Sequence, residues 1–142
     1  MRKKLGALLA AIAWGLASPA IAHHAVGGEY DPNKPVVVNG VVTKVDWVNP
    51  HARVYFDVTS PDGKVTNWSV ELAARVVLER MGWNGRSLKA GQKITVRGDQ
   101  ARSGAPMLNA RAQEQRTLKE AGGKPTVFPI TLDDGTPVYN DR

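Results

Sequence analysis

Between Val36 and Gln115 several segments of strand length carry apolar residues at alternate positions, separated by turn residues. That period constrains the fold more than any other feature, because it puts alternate side chains on opposite faces of a pleated strand. The pattern is cleanest from Ala52 to Thr59, where Val54, Phe56 and Val58 share one face and Arg53, Tyr55 and Asp57 the other. Before it, the valine-rich stretch Val36 to Trp47 reads as a long first strand, with Asn39-Gly40 expected to mark a bulge or bend. Asn49-Pro50 turns the chain between the two strands, and Pro61-Asp62-Gly63-Lys64 predicts a hairpin into a third strand, Val65 to Glu71.

The period then changes. Ala74, Val77, Leu78 and Met81 are spaced as one face of a short helix over Leu72 to Met81, and Gly82 supplies the left-handed residue that ends it. Period two resumes in Lys93 to Gly98, with Ile94 and Val96 inward, and in Met107 to Gln115 after the turn Ser103-Gly104-Ala105-Pro106. Three strands, a helix and two strands predict a mainly β protein: a small five-stranded OB-like barrel with one short helix between strands three and four. A different small barrel or a sandwich has the same order of elements. Trp47, Trp68 and Trp83 are assigned to its core.

The ends of the chain read differently. Residues 1–22 have the parts of an export signal: the basic head Arg2, Lys3 and Lys4, an uncharged apolar run from Leu5 to Ala17, a break at Ser18-Pro19, and small residues at Ala20 and Ala22. Those 13 apolar residues are short of the roughly 20 that cross a bilayer, so no stable membrane anchor is expected. Cleavage between Ala22 and His23 would release a periplasmic or secreted protein. Removing 22 of the 142 residues leaves 120, enough for one domain with its own core. Residues 23–35, with Gly27, Gly28, Pro32 and Pro35, are read as an irregular N-terminal arm. Residues 36–116 form the barrel, and 117–142 an extended tail with one edge strand expected at Val127 to Leu132.

Several functions are excluded or weakened. The chain has no cysteine, which removes thiolate catalysis, thiol redox chemistry and Cys-ligated metals. Losing the basic head lowers the net charge from +6 to +3, too little for the dense basic stripe of a nucleic-acid partner. There is no G-x-S-x-G, no H-E-x-x-H and no glycine-rich phosphate loop before a helix. Asp133-Asp134 beside Gly135 is turn chemistry. The chain reads as a binder rather than an enzyme.

The Ala-His-His start of the exported chain, Trp47-Val-Asn49-Pro50-His51, Trp68 followed by Glu71, Gly82-Trp83, and Leu88 before Gly91 together resemble a family of small secreted bacterial proteins of unknown function. The resemblance runs from about His23 to Ala112. It implies an OB-like barrel in the periplasm and no particular activity.

Three histidines, His23, His24 and His51, remain after the expected cleavage. As residue one, His23 would offer an α-amine and an imidazole to the same ion, and a second imidazole would complete a three-nitrogen brace. That donor set suits Cu(II) first and Zn(II) next. His24 could instead bind Cu(II) through the amine, the intervening amide nitrogen and its ring, while Glu29 and Asp31 are candidates for orienting a ring. The distances are demanding: Val36 to Trp47, if straight, spans ~40 Å and the arm reaches at most ~43 Å. The competing reading is that His23 and His24 form an exposed tail and His51 hydrogen-bonds within its turn. The second reading is a module for a small anionic or carbohydrate ligand on the strand two–three face, using Arg53 and Tyr55 with Arg97 and Arg111 near the rim. A copper redox enzyme at the same brace is the third.

Overall fold

A hydrogen-bonded row that leaves the first strand at one end and returns to it at the other shows how the sheet closes. In the computed structural model, which describes residues 28–110 and 129–138, the elements are β1 (Tyr30–Asp46), β2 (Arg53–Thr59), β3 (Val65–Glu71), α1 (Arg75–Arg80), β4 (Lys93–Ala101), β5 (Met107–Asn109) and β6 (Ile130–Leu132). Asp46 pairs with Arg53, Arg53 with Glu71, Glu71 with Asn109, Asn109 with Asp99, and Asp99 with Pro35, back on β1. The five strands form a closed barrel in the order β1-β2-β3-β5-β4-β1, with β3 and β5 parallel. The short helix lies between the third and fourth strands, as expected. β6 adds to β4 beside β5, through Ile94 to Val96.

The inward residues are those in the apolar phase of each strand. Val42, Val54, Phe56, Val70, Ile94, Val96 and Leu108 are buried and belong to one core with Leu72, Leu78, Trp83, Leu88 and Ile130. Trp47 and Trp68 pack against it and stay partly exposed. The hairpin at Gly63 (φ +83°) follows the expected turn, closed by the Gly63 amide on the Ser60 carbonyl at 2.9 Å.

β1 departs from the expected arm and from the expected bulge. It begins at Tyr30, not Val36, because Tyr30 pairs with Ala101 and the prolines are accommodated where the ladder slips: five steps from Tyr30 to Pro35 answer two on β4. At Asn39-Gly40 the ladder with β4 runs without slipping, and the irregularity falls between Val42 and Lys44 instead. Gly40 serves closeness. A Cβ there would stand 2.6 Å from Phe56 Cδ2 and 2.7 Å from the Asp57 carbonyl oxygen, where β1 exchanges β4 for β2 as its partner.

The helix is also shorter than Leu72–Met81. Leu72 and Ala73 continue the ladder instead, with the Leu72 amide on the Ala52 carbonyl at 2.8 Å and the Ala52 amide on the Ala73 carbonyl at 3.2 Å. Of the four residues expected inward, Val77 is 40 % exposed, and Leu78 is the buried residue of the helix. The terminator behaves as expected: Gly82 (φ +85°) donates to the Glu79 carbonyl and Trp83 to that of Leu78, which satisfies the last carbonyls and carries Trp83 into the core beside Leu78. The export segment, His23, His24, Arg111 and the remainder of the expected fifth strand lie outside the described residues, as do the first two residues of the expected edge strand.

Candidate functional site

His51 follows the Asn49–Pro50 peptide bond, which is cis, and precedes the buried Ala52. Its parity along the chain matches that of Arg53, Tyr55 and Asp57, so it belongs to the outer face of β2. The Ala52–Leu72 hydrogen bond prolongs the β2–β3 ladder past Arg53–Glu71, leaving Glu71 opposite Arg53 and diagonal to His51. Diagonal neighbours lie about 7–8 Å apart at Cα, which a glutamate and a histidine span together. Both contacts form: Glu71 Oε1 accepts from His51 Nδ1 at 2.8 Å, and Glu71 Oε2 from Arg53 Nη2 at 2.8 Å.

This arrangement fixes the histidine chemically. A ring that donates through Nδ1 to a carboxylate is held in one orientation. Arg53 in turn prevents the carboxylate from rotating away. Glu71 is only 8 % exposed despite its outward parity, and the next members of the row, Asn109 and Asp99, are more deeply buried still. A polar row therefore runs round the outer wall of the barrel under cover.

Tyr30 lies on the same wall. It stands opposite Ala101, in phase with Asp99 on the outer face of β4, and is buried. Its phenol is pushed up to about 12, first by burial and then by the negative charge of Glu71, with a smaller contribution from Glu29 and an opposing one from Arg53. The chain thus enters the fold within electrostatic reach of the carboxylate that holds His51. The Arg102 amide donating to the Glu29 carbonyl at 2.9 Å and the Arg102–Asp31 pair at 3.7 Å fasten this entry to the end of β4. Asp31, one of the two acids considered for orienting a ring, is engaged there.

The sequence-derived candidates separate into groups. His51 and Arg53 meet at Glu71. Tyr55 has the Lys44 ammonium 5.4 Å from its ring centroid, and Lys44 also pairs with Asp46 at 2.7 Å. Arg97 lies on β4, which is not a neighbour of β2 in the ring. Among the described residues no three His, Asp or Glu side chains converge as a metal-binding set. His23 and His24 lie outside them.

Two residues of the site escaped the sequence reading. Glu71 looked like the polar end of a strand, and its link to His51 depends on register. Tyr30 stood among glycines and prolines that pointed to an irregular arm. The available signal was the shared parity of His51, Arg53 and Tyr55, combined with a carboxylate at the end of the paired strand.

The molecule is thus a closed five-stranded β-barrel carrying on its wall a histidine oriented by a covered carboxylate. A model of a family of unknown function, DUF6152, matches residues 11–109, up to the last residue of β5, and the chain belongs to that family. No curated protein matches the sequence.

Proposed function

We propose that this is an extracytoplasmic binding protein for a divalent transition-metal ion, Cu(II) ahead of Zn(II). His51 serves as the anchored ligand, and the amine and ring of His23, with His24 as the substitute, complete the set. The observation that carries the reading is the 2.8 Å contact between His51 Nδ1 and Glu71 Oε1. Metal-bound histidines characteristically donate their other ring nitrogen to such a carboxylate, which orients the ring and raises its basicity. The entry of the chain within electrostatic reach of Glu71 supports it further. From Tyr30 back to His23 is seven residues, and seven residues can reach ~25 Å. The long path along a straight first strand, which made the meeting demanding, is not needed.

Nitrogen donors in a tetragonal set favour Cu(II) over the other divalent ions. Binding requires the ligating nitrogens to shed their protons, so it weakens as pH falls through the imidazole range. The anionic or carbohydrate reading has less support, because Arg53 is committed to Glu71 and Tyr55 to Lys44.

The test is a competition titration with Cu(II) on protein whose first residue has been shown by intact mass to be His23. His23→Ala and His51→Ala should each weaken binding by at least about tenfold, and Glu71→Gln by about 10–100-fold. Affinity unchanged in His51→Ala would reduce the site to a generic amino-terminal chelate and end the proposal.

A further inference from the structure

β5 and β6 succeed one another along a single edge of β4, both antiparallel to it. Leu108 and Asn109 answer Gln100 and Asp99, and Ile130, Thr131 and Leu132 answer Val96, Thr95 and Ile94. Between them the Arg97 amide donates to the Pro129 carbonyl at 2.7 Å. From Asp99 to Val96 is three residues, whereas from Asn109 to Ile130 is twenty-one. One line of strand is thus built from two pieces of chain. The second piece is not needed to close the barrel, whose ring is β1-β2-β3-β5-β4. The family match ends at Asn109, so this edge of β4 lies inside the matched region and β6 beyond it. We propose that the edge of β4 from Ile94 to Val96, with the core space beneath it, is a strand acceptor whose partner is β6 of a second copy of this chain, taken in exchange for the chain's own.

The acceptor has both parts of a site for an extended segment. Its backbone row offers the hydrogen bonds that a strand edge leaves open until another strand takes them. Ile130 is the anchor: it pairs with Val96, is fully buried, and shares one core with Ile94 and Val96. Leu132 and Val138 also pack against that core. The docking unit is closed on itself, with the Leu132 amide on the Thr136 carbonyl at 2.8 Å, the Gly135 amide on the Leu132 carbonyl at 2.9 Å, and Thr131 bridged to Pro137. It can therefore leave and re-enter as one piece while the ring stays closed. A second copy is the occupant whose fit is already established, because its β6 brings the same side chains in the same register. Residues 111–128 can span at most ~60 Å, against a few strand steps from β5 to β6 along β4. That length lets the unit reach another molecule. Contacts in trans equal those in cis, so concentration decides between them: the chain's own strand prevails below the local concentration of a tethered segment, on the order of a millimolar. A seat vacated by one β6 is open to the partner's, so the exchange is reciprocal and closes at two copies.

The chain contains no cysteine, so an introduced disulfide can report the exchange. Thr95 and Thr131 stand opposite each other in the ladder, out of phase with the buried Ile130, and both are part-exposed. Residues paired in this way lie about 4.5–5.5 Å apart at Cα, within disulfide range. Thr95→Cys and Thr131→Cys are prepared as separate proteins, mixed at about millimolar concentration under mild oxidation, and resolved by non-reducing electrophoresis and intact mass. The mixed disulfide dimer should exceed either self-linked dimer about tenfold, because only docking in trans holds the two thiols together. The chain carrying both substitutions should bridge within itself when dilute, which checks the register. A mixed dimer at no more than its statistical share overturns the proposal, as does a bridge that forms in the double variant alone. No bridge in any of the three proteins overturns the acceptor itself.

Discussion

Tyr30 and Glu71 show how far a residue's character depends on what covers it. Both sit at positions whose parity points away from the core, yet they are 3 % and 8 % exposed. For Tyr30 the consequence is measurable apart from any ligand. An unfolded phenol titrates near 10, whereas the folded one is held up to about 12, so over that window the native state keeps a proton that the unfolded chain has lost. Stability therefore falls as pH rises through the window, by roughly 2–3 kcal/mol for this group. Urea midpoints of the parent and Tyr30→Phe, which lacks the titration, should differ by a constant amount below pH 10, and the parent should then lose stability relative to the variant as pH rises towards 12; curves that stay parallel would show that the hydroxyl is not buried in solution. Glu71 was legible as a polar residue at a strand end. Its two donors were not, because the nearer in sequence, Arg53, is 18 positions away.

At the scale of elements, local signals were most reliable where local chemistry suffices. Gly63 and Gly82 occupy left-handed backbone at turns that their neighbours announce. Gly40 is different. Its backbone is ordinary, and what demands glycine is a second strand crossing within 2.6 Å of where a Cβ would sit. Gly40→Ala should cost about 2–3 kcal/mol, the range for overpacking against backbone that cannot retreat, and a denaturant midpoint shifted by less than a quarter of that would show the crossing to be looser than described. α1 starts later than its apolar spacing predicts for a related reason. Leu72 and Ala73 suit a helix, but the exposed-or-paired choice of their backbone groups was settled by Ala52 across the sheet. The prolines before Val36 argued against a strand, and the slipped ladder with β4 made room for them.

At the scale of the molecule, the chain builds its core from strands far apart in sequence and closes it without a disulfide. Ile130 is fully buried with residues of β1 to β5, although it follows the last barrel strand by some twenty positions. Ile130→Ala should therefore lower the unfolding free energy by about 2–4 kcal/mol, as for other large-to-small changes in a core. A cost below about 0.5 kcal/mol, typical of surface substitutions, would mean that β6 merely decorates the barrel. By itself the sequence determined the β class, the inward phase of each strand, the hairpin turn and the end of the helix, because each follows from side-chain period or backbone freedom over a few residues. Only the tertiary structure decided that His51, Arg53 and Glu71 share one point and that Tyr30 is buried opposite Ala101, within electrostatic reach of Glu71. Those meetings depend on strand register and barrel closure, and a one-residue slip in either would turn the same side chains to the opposite face.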